Sequence, residues 1–310
     1  MKRERSLQRR CKDALRYRLF RQNWTIGVVR RPIAEVAGLC GGAVQRRALE
    51  AVHWMPEQRG LFRADPFPVS YGGTEDTIRI LFEELHWSEG RGKIAACTYD
   101  GRTFGKVDTV LECPHHLSYP FSLLAGDRWL TVPEQAEAGE VRAYDLAEGQ
   151  DEEGFPIARM GLIDPSIIEH GGRWWMFAGH RGENENKRLH LYHSDALTGP
   201  WTPHPANPVK SDATSARPAG HLFRHEGALY RPGQNCADHY GQGIAVHRVL
   251  LLDEERYEEE QVAEVVPLSS VRYRDGLHTI SAFGPYTVID GARLESTLHP
   301  ALDGLAALVR

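Results

Sequence analysis

The feature that most constrains the fold is a strand–turn–strand unit that recurs along most of the chain. Its clearest copy begins with the apolar strand Ile163–Ile168, turns at His170-Gly171-Gly172 and returns through Arg173–Ala178. The alternating segment Leu189–His193 predicts a third strand, and a short fourth strand can begin at Trp201. Four meandering antiparallel strands are one blade of a β-propeller, so the unit predicts a blade.

Similar units recur at a spacing of about fifty residues, which is typical of propeller blades. Their first strands begin at Ala64, His116, Arg217 and Leu277. Together with the unit at Ile163 they predict an all-β fold, a five-bladed β-propeller. The strand predicted at Trp24–Val29 can pair with the last blade and close the ring, which protects exposed strand edges. A two-sheet sandwich is the rival architecture, but it does not predict a polar residue at the start of every unit.

We divide the chain into a short helical, basic N-terminal extension, residues 1–23, and a single propeller domain, residues 24–310. The first 31 residues contain eleven lysines and arginines. A solvated helix or a frayed terminus explains them most simply, although such a segment could also contact an anionic surface. No apolar stretch of a secretory signal follows them, and no run is apolar and long enough to predict a transmembrane segment.

Composition narrows the functional classes. The net charge of −5 and the pI near 6.3 oppose nucleic-acid binding, which usually needs a basic field. The five cysteines form no C-x-x-C pair, so the sequence indicates neither a zinc knuckle nor a disulfide framework. We therefore expect reduced thiols in a cytoplasmic protein.

The polar residue that opens the first strand of each unit is the most informative part of the repeat. These residues are Asp65, His116, Asp164, Arg217 and His278. First strands line the axis of a propeller, so their side chains are expected to converge. The ends of the second strands add Glu83 or Glu84, Glu134, His180 and the Gln234-Asn235 pair.

A structural explanation competes with a functional one at each of these positions. Asp-Pro pairs also begin turns, and a buried Asp or His can simply satisfy backbone groups. Three carboxylates from three different strands favour a functional site, because clustered ionisable groups in a cleft tend to be functional.

Glycosyl transfer is the chemistry that such carboxylates fit, because it needs one carboxyl group to donate a proton and another to attack or to activate water. We predict catalytic roles for Asp65, Glu134 and Asp164. The predicted substrate-binding residues are Glu84, His116, Ser118, Tyr119, His180, Arg217, Arg231, Gln234 and His278. The nucleophile-elbow, P-loop and H-E-x-x-H motifs are missing, so no metal ligands are predicted. No cofactor is expected, although the axis leaves room for a calcium ion.

A set of short motifs extends from about Trp24 to Asp290, and it is specific as a set. It comprises Ala64-Asp65-Pro66-Phe67, His116-Leu117-Ser118-Tyr119-Pro120, Pro133-Glu134, Ile163-Asp164-Pro165-Ser166, Gly199-Pro200-Trp201, Arg217-Pro218-Ala219-Gly220, Tyr230-Arg231-Pro232 with Gln234, Tyr240-Gly241 and His278-Thr279. This set resembles the N-terminal domain of plant glucosamine inositolphosphorylceramide transferase and its stand-alone bacterial relatives. That domain in turn is similar to the five-bladed glycoside hydrolases of the arabinanase/xylosidase and invertase/levansucrase type.

The resemblance implies roles for the three carboxylates. Asp65 matches the base or nucleophile, Asp164 matches the aspartate that stabilises or tunes, and Glu134 is the candidate proton donor. The order Asp–Glu–Asp differs from the usual Asp–Asp–Glu, and the invertase-type signature around the first aspartate is missing. The transferase domain of the plant protein is a separate module that nothing in this chain resembles, so the transferase activity is not carried over.

Three hypotheses follow. The first is a glycoside hydrolase or transglycosidase that acts on a small molecule or a glycan. The second is a non-catalytic sugar-binding propeller module that uses the same axial pocket. The third is a propeller recruited to another small-metabolite reaction, in which the axial acids handle a proton or a carbocation.

Overall fold

The computed structural model describes residues 19–72, 74–146, 153–182 and 184–297. Two helices lie within these ranges, α1 Ile33–Val36 and α2 Gly42–Glu50. The strands are β1 Phe20–Val29, β2 His53–Trp54, β3 Leu61–Tyr71, β4 Thr74–His86, β5 Gly92–Tyr99, β6 Asp108–Leu111, β7 Ser118–Ala125, β8 Arg128–Glu134, β9 Val141–Ala143, β10 Phe155–Ala158, β11 Leu162–His170, β12 Arg173–His180, β13 Arg188–Ser194, β14 Thr202–Pro203, β15 Lys210–Ser211, β16 Phe223–His225, β17 Ala228–Asn235, β18 Gly243–Leu252, β19 Tyr257–Val265, β20 Ile280–Phe283 and β21 Tyr286–Ser296. None of the described helices has the length and apolarity needed to cross a membrane.

Four antiparallel sheets of four or more strands form the blades of a propeller-like arrangement. Their strand orders are β3-β4-β5-β6, β11-β12-β13-β14 with β15 beside β13, β16-β17-β18-β19, and β20-β21-β1-β2. The first strands pack together: β3 contacts β7 and β20, and β7 contacts β11. The segment before β16 joins them where Gly220 bridges to Ile280. The prediction of an all-β, propeller-like fold is confirmed at this level.

Strands β7 to β10 form two smaller sheets, β7-β8 and β9-β10. A bridge joins them, with reciprocal backbone hydrogen bonds between Thr131 and Tyr144 of 2.7 and 2.8 Å. The four strands follow the sheet β3-β4-β5-β6 in the sequence and precede β11, at the place of the second predicted unit.

Strand β1 closes the ring as the sequence predicted. It pairs with β21 over its whole length, from Phe20 opposite Ser296 to Val29 opposite Thr287. The strand begins at Phe20, inside the segment that the sequence assigned to the N-terminal extension. The helical extension was predicted for residues 1–23: residues 20–23 are strand instead, because they pair with β21, and residues 1–18 lie outside the described residues.

The core lies between neighbouring sheets, and alternate residues of β4 belong to two different parts of it. Side chains alternate across a strand. Ile78, Ile80 and Phe82 pack with residues of the last sheet, whereas Leu81 packs with Leu117 and other residues of the second unit. Both faces of β4 are therefore buried, and the two glutamates that follow, Glu83 and Glu84, point to opposite sides.

Candidate functional site

The inner strands β3, β7 and β11 share one backbone feature. Each has a β-bulge at a residue that precedes proline, and that residue has a positive φ: 55° at Asp65, 41° at Tyr119 and 49° at Asp164. A bulge redirects a side chain. A non-glycine residue in this region costs about 1–3 kcal/mol, and such residues cluster at functional sites. The three residues hold equivalent positions on their strands.

Tyr119 therefore occupies the place in the second unit that the sequence assigned to His116. The signal was present in the sequence, because Tyr119-Pro120 repeats the Asp-Pro pattern of the other two strands. The Tyr119 hydroxyl lies 2.8 Å from Ser166 Oγ and accepts the Gly220 N–H at 2.6 Å. The side chain is fully buried, so this tyrosine, predicted to bind substrate, joins three inner segments of the fold.

Asp65 lies beside the last sheet. The Thr279 hydroxyl donates to its Oδ1 at 2.7 Å, and Nε2 of His278 lies 3.8 Å from the same oxygen. Its backbone N–H donates to Oδ2 of Asp290 at 3.2 Å. No donor of the described residues bonds to Oδ2 of Asp65, and the residue is 6% exposed. Oδ2 is therefore the oxygen of Asp65 that has no protein hydrogen bond within the described ranges.

Asp164 is held by two groups from the β16–β19 sheet and the segment that precedes it. Arg217 donates from Nε to Oδ2 at 2.6 Å and from Nη2 to Oδ1 at 3.3 Å, and Gln234 donates to Oδ2 at 3.2 Å. Burial raises the pKa of Asp164 to about 6 although Arg217 lowers it, and the charges of Asp65 and Glu134 add to the rise. The aspartate therefore titrates close to neutral pH despite its bidentate ion pair.

Glu83, rather than its neighbour Glu84, faces the axial acids. Burial raises the pKa of Glu83 well above 4.5, and the negative charges of Asp65, Glu134 and Asp164 raise it further. His116 accepts the Gly92 N–H at Nδ1, so its Nε2 carries the proton that faces Glu83 Oε1 at 3.5 Å. Burial and the neighbouring negative charges thus oppose ionisation of Glu83 and raise its pKa.

Glu134 has a different environment from Glu83. Its Oε2 accepts the Ser118 hydroxyl at 2.8 Å, and its Oε1 accepts the Ala136 N–H at 2.8 Å. Each oxygen of Glu134 therefore already accepts one hydrogen bond from a protein donor. Ser118, predicted to bind substrate, lies beside the acids through its bond to Glu134.

Glu84, His180 and Arg231 were predicted to bind substrate, and each is engaged elsewhere. Glu84 pairs with Arg63 at 2.9 Å on the side of β4 that faces the last sheet. His180 is exposed, and its ring nitrogen lies 2.5 Å from the Tyr192 hydroxyl. Arg231 forms a buried bidentate pair with Glu259, both bonds being 2.7 Å. Arg231 and Gln234 are three residues apart on β17, so strand alternation places them on opposite faces.

Sequence reasoning missed two residues that complete the site, Asp290 and Trp24. Asp290 accepts the His278 ring at 2.5 Å, and Trp24 stacks on that ring with centroids 4.0 Å apart. Both lie on strands of the last sheet, and only the closed ring brings them to Asp65. No local pattern in the sequence marks either one as a site residue.

Among the described residues, Asp65, His278 and Asp290 form a cluster that could hold a metal ion, since one atom of each lies within 4.8 Å of the others. Their donors do not fit calcium. Both oxygens of Asp290 are already occupied by N–H donors, from the backbone of residues 65, 278 and 279 and from the His278 ring. Calcium takes six to eight oxygen ligands, and this cluster leaves one carboxylate and an imidazole. We derive no step through a metal ion.

Comparison with known proteins agrees with the motifs. The family model described as glucosamine inositolphosphorylceramide transferase 1, N-terminal, matches residues 56–276. The chain belongs to this family. It is 34% identical to glucosamine inositolphosphorylceramide transferase 1 of Oryza sativa subsp. japonica over 216 residues, and 31% identical to that of Arabidopsis thaliana. The match with the rice protein covers 65% of this chain but only 28% of the rice protein.

Two solved glycoside hydrolases show the same fold. A family 117 enzyme of the marine bacterium Zobellia galactanivorans aligns with a TM-score of 0.51 and 13% identity, over 77% of this chain and 87% of that enzyme. A family 43 β-1,3-galactosidase also aligns with a TM-score of 0.51, at 11% identity, over 67% of this chain and 47% of that enzyme. At this level of identity the similarity concerns the fold alone.

Proposed function

We propose that this protein is a carbohydrate-active enzyme, a glycoside hydrolase or transglycosidase, whose reaction takes place at Asp65 and Glu83. The observation that carries the proposal is the difference between two neighbouring carboxyl groups. Burial and three nearby acids keep the pKa of Glu83 well above 4.5, whereas Asp65 has a free oxygen, a hydroxyl donor and a facing imidazole. Acid and base pairs in enzymes are made by environments that separate their pKa values in this way.

Each carboxyl group then has one role. Glu83 gives its proton to the glycosidic oxygen as the bond from that oxygen to the anomeric carbon breaks. Asp65 either attacks the anomeric carbon or takes a proton from the water that attacks it. Glu83 replaces Glu134 as our candidate donor, because both oxygens of Glu134 already accept hydrogen bonds from protein donors.

Asp164 and Arg217 complete the proposed site without taking part in bond cleavage. The ion pair between them places a fixed positive group beside the acids, and Arg217 also donates to Asn186 at 3.0 Å and lies over the Tyr240 ring at 5.3 Å. Charge-assisted donors of this kind orient hydroxyl groups of a bound sugar. Asp164 tunes the pKa of Glu83 by repulsion.

The fold supports a wider version of the same proposal. Counting the joined sheets β7-β8 and β9-β10 as one blade gives five blades around the acids. The single domain would then begin at Phe20, where β1 starts, and not at residue 24. The glycoside hydrolases that share the fold agree with a small-molecule or glycan substrate.

A panel of aryl glycosides and natural oligosaccharides tests the proposal. Asp65→Asn and Glu83→Gln should lower kcat by about 10²- to 10⁴-fold, the range for loss of a general acid or base. Glu83→Gln should spare substrates with acidic phenol leaving groups, because these need no proton to depart. Glu112→Gln, an exposed glutamate, is the matched control and should leave turnover unchanged.

A sugar-binding module without catalysis is the second candidate, and burial favours it. Asp164 is 1% exposed, and all its strong contacts are with protein groups, which suits a fixed architectural role. Calorimetry separates the two. The binding module is the better explanation if a sugar binds the wild type without being turned over and binds Glu83→Gln equally well.

A further inference from the structure

Asp290 lies where the first and last blades meet, and it is 0% exposed. Its Oδ1 accepts the backbone N–H groups of His278 at 2.8 Å and Thr279 at 3.0 Å. Its Oδ2 accepts the backbone N–H of Asp65 at 3.2 Å and Nδ1 of His278 at 2.5 Å. Four donors saturate the two carboxylate oxygens, so Asp290 is a fixed negative charge that contacts both blades.

The ring of His278 is held on several sides. Asp290 binds Nδ1, Trp24 stacks on one face at 4.0 Å and 13°, and Tyr240 meets the ring edge-on at 5.2 Å and 85°. The remaining nitrogen, Nε2, lies 3.8 Å from Oδ1 of Asp65. The imidazole has no freedom to turn away from that carboxylate.

We infer that Asp290 is a positioning residue for Asp65. Asp290 acts on Asp65 directly through its bond to the strained backbone N–H, and indirectly through the His278 ring. The direct bond holds the Asp65 N–H at the position where φ is 55°. The indirect contact aims the imidazole at the carboxylate. The inference rests on the proposed function, in which Asp65 is the nucleophile or base.

The charges around His278 support this arrangement. Burial lowers the pKa of His278, but the carboxylates of Asp290 and Asp65 outweigh it and raise the pKa above 6.5, against a smaller opposing effect of Arg217. Tyr240, the other titratable group against the ring, is neutral near pH 7, because its own pKa is raised well above 10.0 by burial. The raised pKa reflects the attraction of these two carboxylates for the protonated His278 ring.

Asp290→Asn tests the inference with two readouts that do not require activity. The amide nitrogen of asparagine cannot accept, so the two N–H donors on the oxygen that it replaces lose their acceptor, and the negative charge beside His278 is lost in either orientation of the amide. In protein with ¹³C-labelled histidine, the pKa of His278 should fall by one unit or more, a tenfold change. Hydrogen exchange of the Asp65 amide should speed up by about tenfold or more.

Two further variants separate positioning from general damage. Asp275→Asn is the matched control, because Asp275 is a buried carboxylate that accepts the Leu294 N–H at 2.9 Å in the same sheet. It should leave the His278 titration and the Asp65 amide unchanged. His278→Gln should preserve the slow exchange of the Asp65 amide. If Asp290→Asn does not fold, His278→Gln still tests the indirect contact.

With an active wild type, Asp290→Asn should lower kcat by about 10- to 100-fold with little change in KM, as for other residues that orient a functional histidine. An unchanged His278 titration together with an unchanged Asp65 amide would overturn the inference. Metal binding would also overturn the inference. If chelator-treated wild type binds Ca²⁺ or Zn²⁺ tightly and Asp290→Asn does not, Asp290 is a metal ligand. If the wild type shows no turnover but Asp290→Asn changes both the His278 titration and the Asp65 amide exchange, the proposed function fails and the positioning contacts stand.

Discussion

Arg217 and Asp164 form a bidentate ion pair between neighbouring blades, with Nε donating to Oδ2 at 2.6 Å and Nη2 to Oδ1 at 3.3 Å. Burial nevertheless leaves the pKa of Asp164 raised to about 6. Protonation of Asp164 would remove the negative charge of this ion pair, so the stability of the contact depends on pH.

Replacing Arg217 should expose that dependence. Arg217→Gln leaves Asp164 without its cation, and breaking a buried pair costs about 3–5 kcal/mol when the remaining group is charged. At pH 5, below its pKa of about 6, Asp164 is protonated and the loss should be much smaller. Urea unfolding at pH 5 and pH 8 measures the difference. Arg91→Gln, which removes an exposed pair with Glu112, should cost below about 1 kcal/mol at both values.

Glu83→Gln should make unfolding less sensitive to pH. Native Glu83 keeps its proton above 4.5, where the unfolded chain releases it, so the wild type loses stability as the pH rises through this range. Glutamine cannot titrate and removes that loss. Thermal unfolding from pH 4.5 to 8 should show a shallower decline than in the wild type or Glu112→Gln. An equally steep decline would mean that Glu83 is ionised in the native protein.

Gly220→Ala should be severely destabilising because a β-carbon there would lie 1.9 Å from the Ile280 carbonyl oxygen, at a φ of 118°. Overpacking of this kind costs about 3 kcal/mol or more. Gly227 is the control, since it has a φ of 79° but nothing within 4 Å of its β-carbon position. Gly227→Ala should cost only the backbone strain, about 1–2 kcal/mol. Similar unfolding midpoints for the two variants would contradict the close contact between the blades.

Tyr119→Phe separates structure from binding at a residue that the sequence predicted to bind substrate. The change removes the acceptor of the Gly220 N–H and the partner of Ser166, which should cost about 1–3 kcal/mol. Ligand affinity should stay the same if the hydroxyl is purely structural. Tyr71→Phe, at a 37% exposed tyrosine, should change stability by less than about 0.5 kcal/mol. Weaker ligand binding at unchanged stability would instead support the prediction that Tyr119 binds substrate.

The sequence predicted well whatever depends on local pattern. The recurring strands, the Asp-Pro positions Asp65 and Asp164, and the closing strand around Trp24 all follow from alternation, turn residues and spacing. The bulges that aim the aspartates belong to the same signal, because the left-handed residue precedes proline in each case.

The site features that the sequence did not predict depend on which sheets pack against which faces of a strand. Strand β4 is buried on both sides, so its apolar pattern cannot tell whether Glu83 or Glu84 meets the second unit. Asp290 is 225 residues from Asp65, and only the closed ring makes them neighbours. Arg231 differs from these cases, because its three-residue offset from Gln234 already placed it on the other face of β17.

The pairing of β1 with β21 also governs when the site can exist during synthesis. Strand β1 leaves the ribosome long before its partner β21, which ends at Ser296. Until then Asp65 lacks both Thr279 and the Asp290 carboxylate. A nascent chain would therefore hold most of its acids in an open ring until β21 has been made.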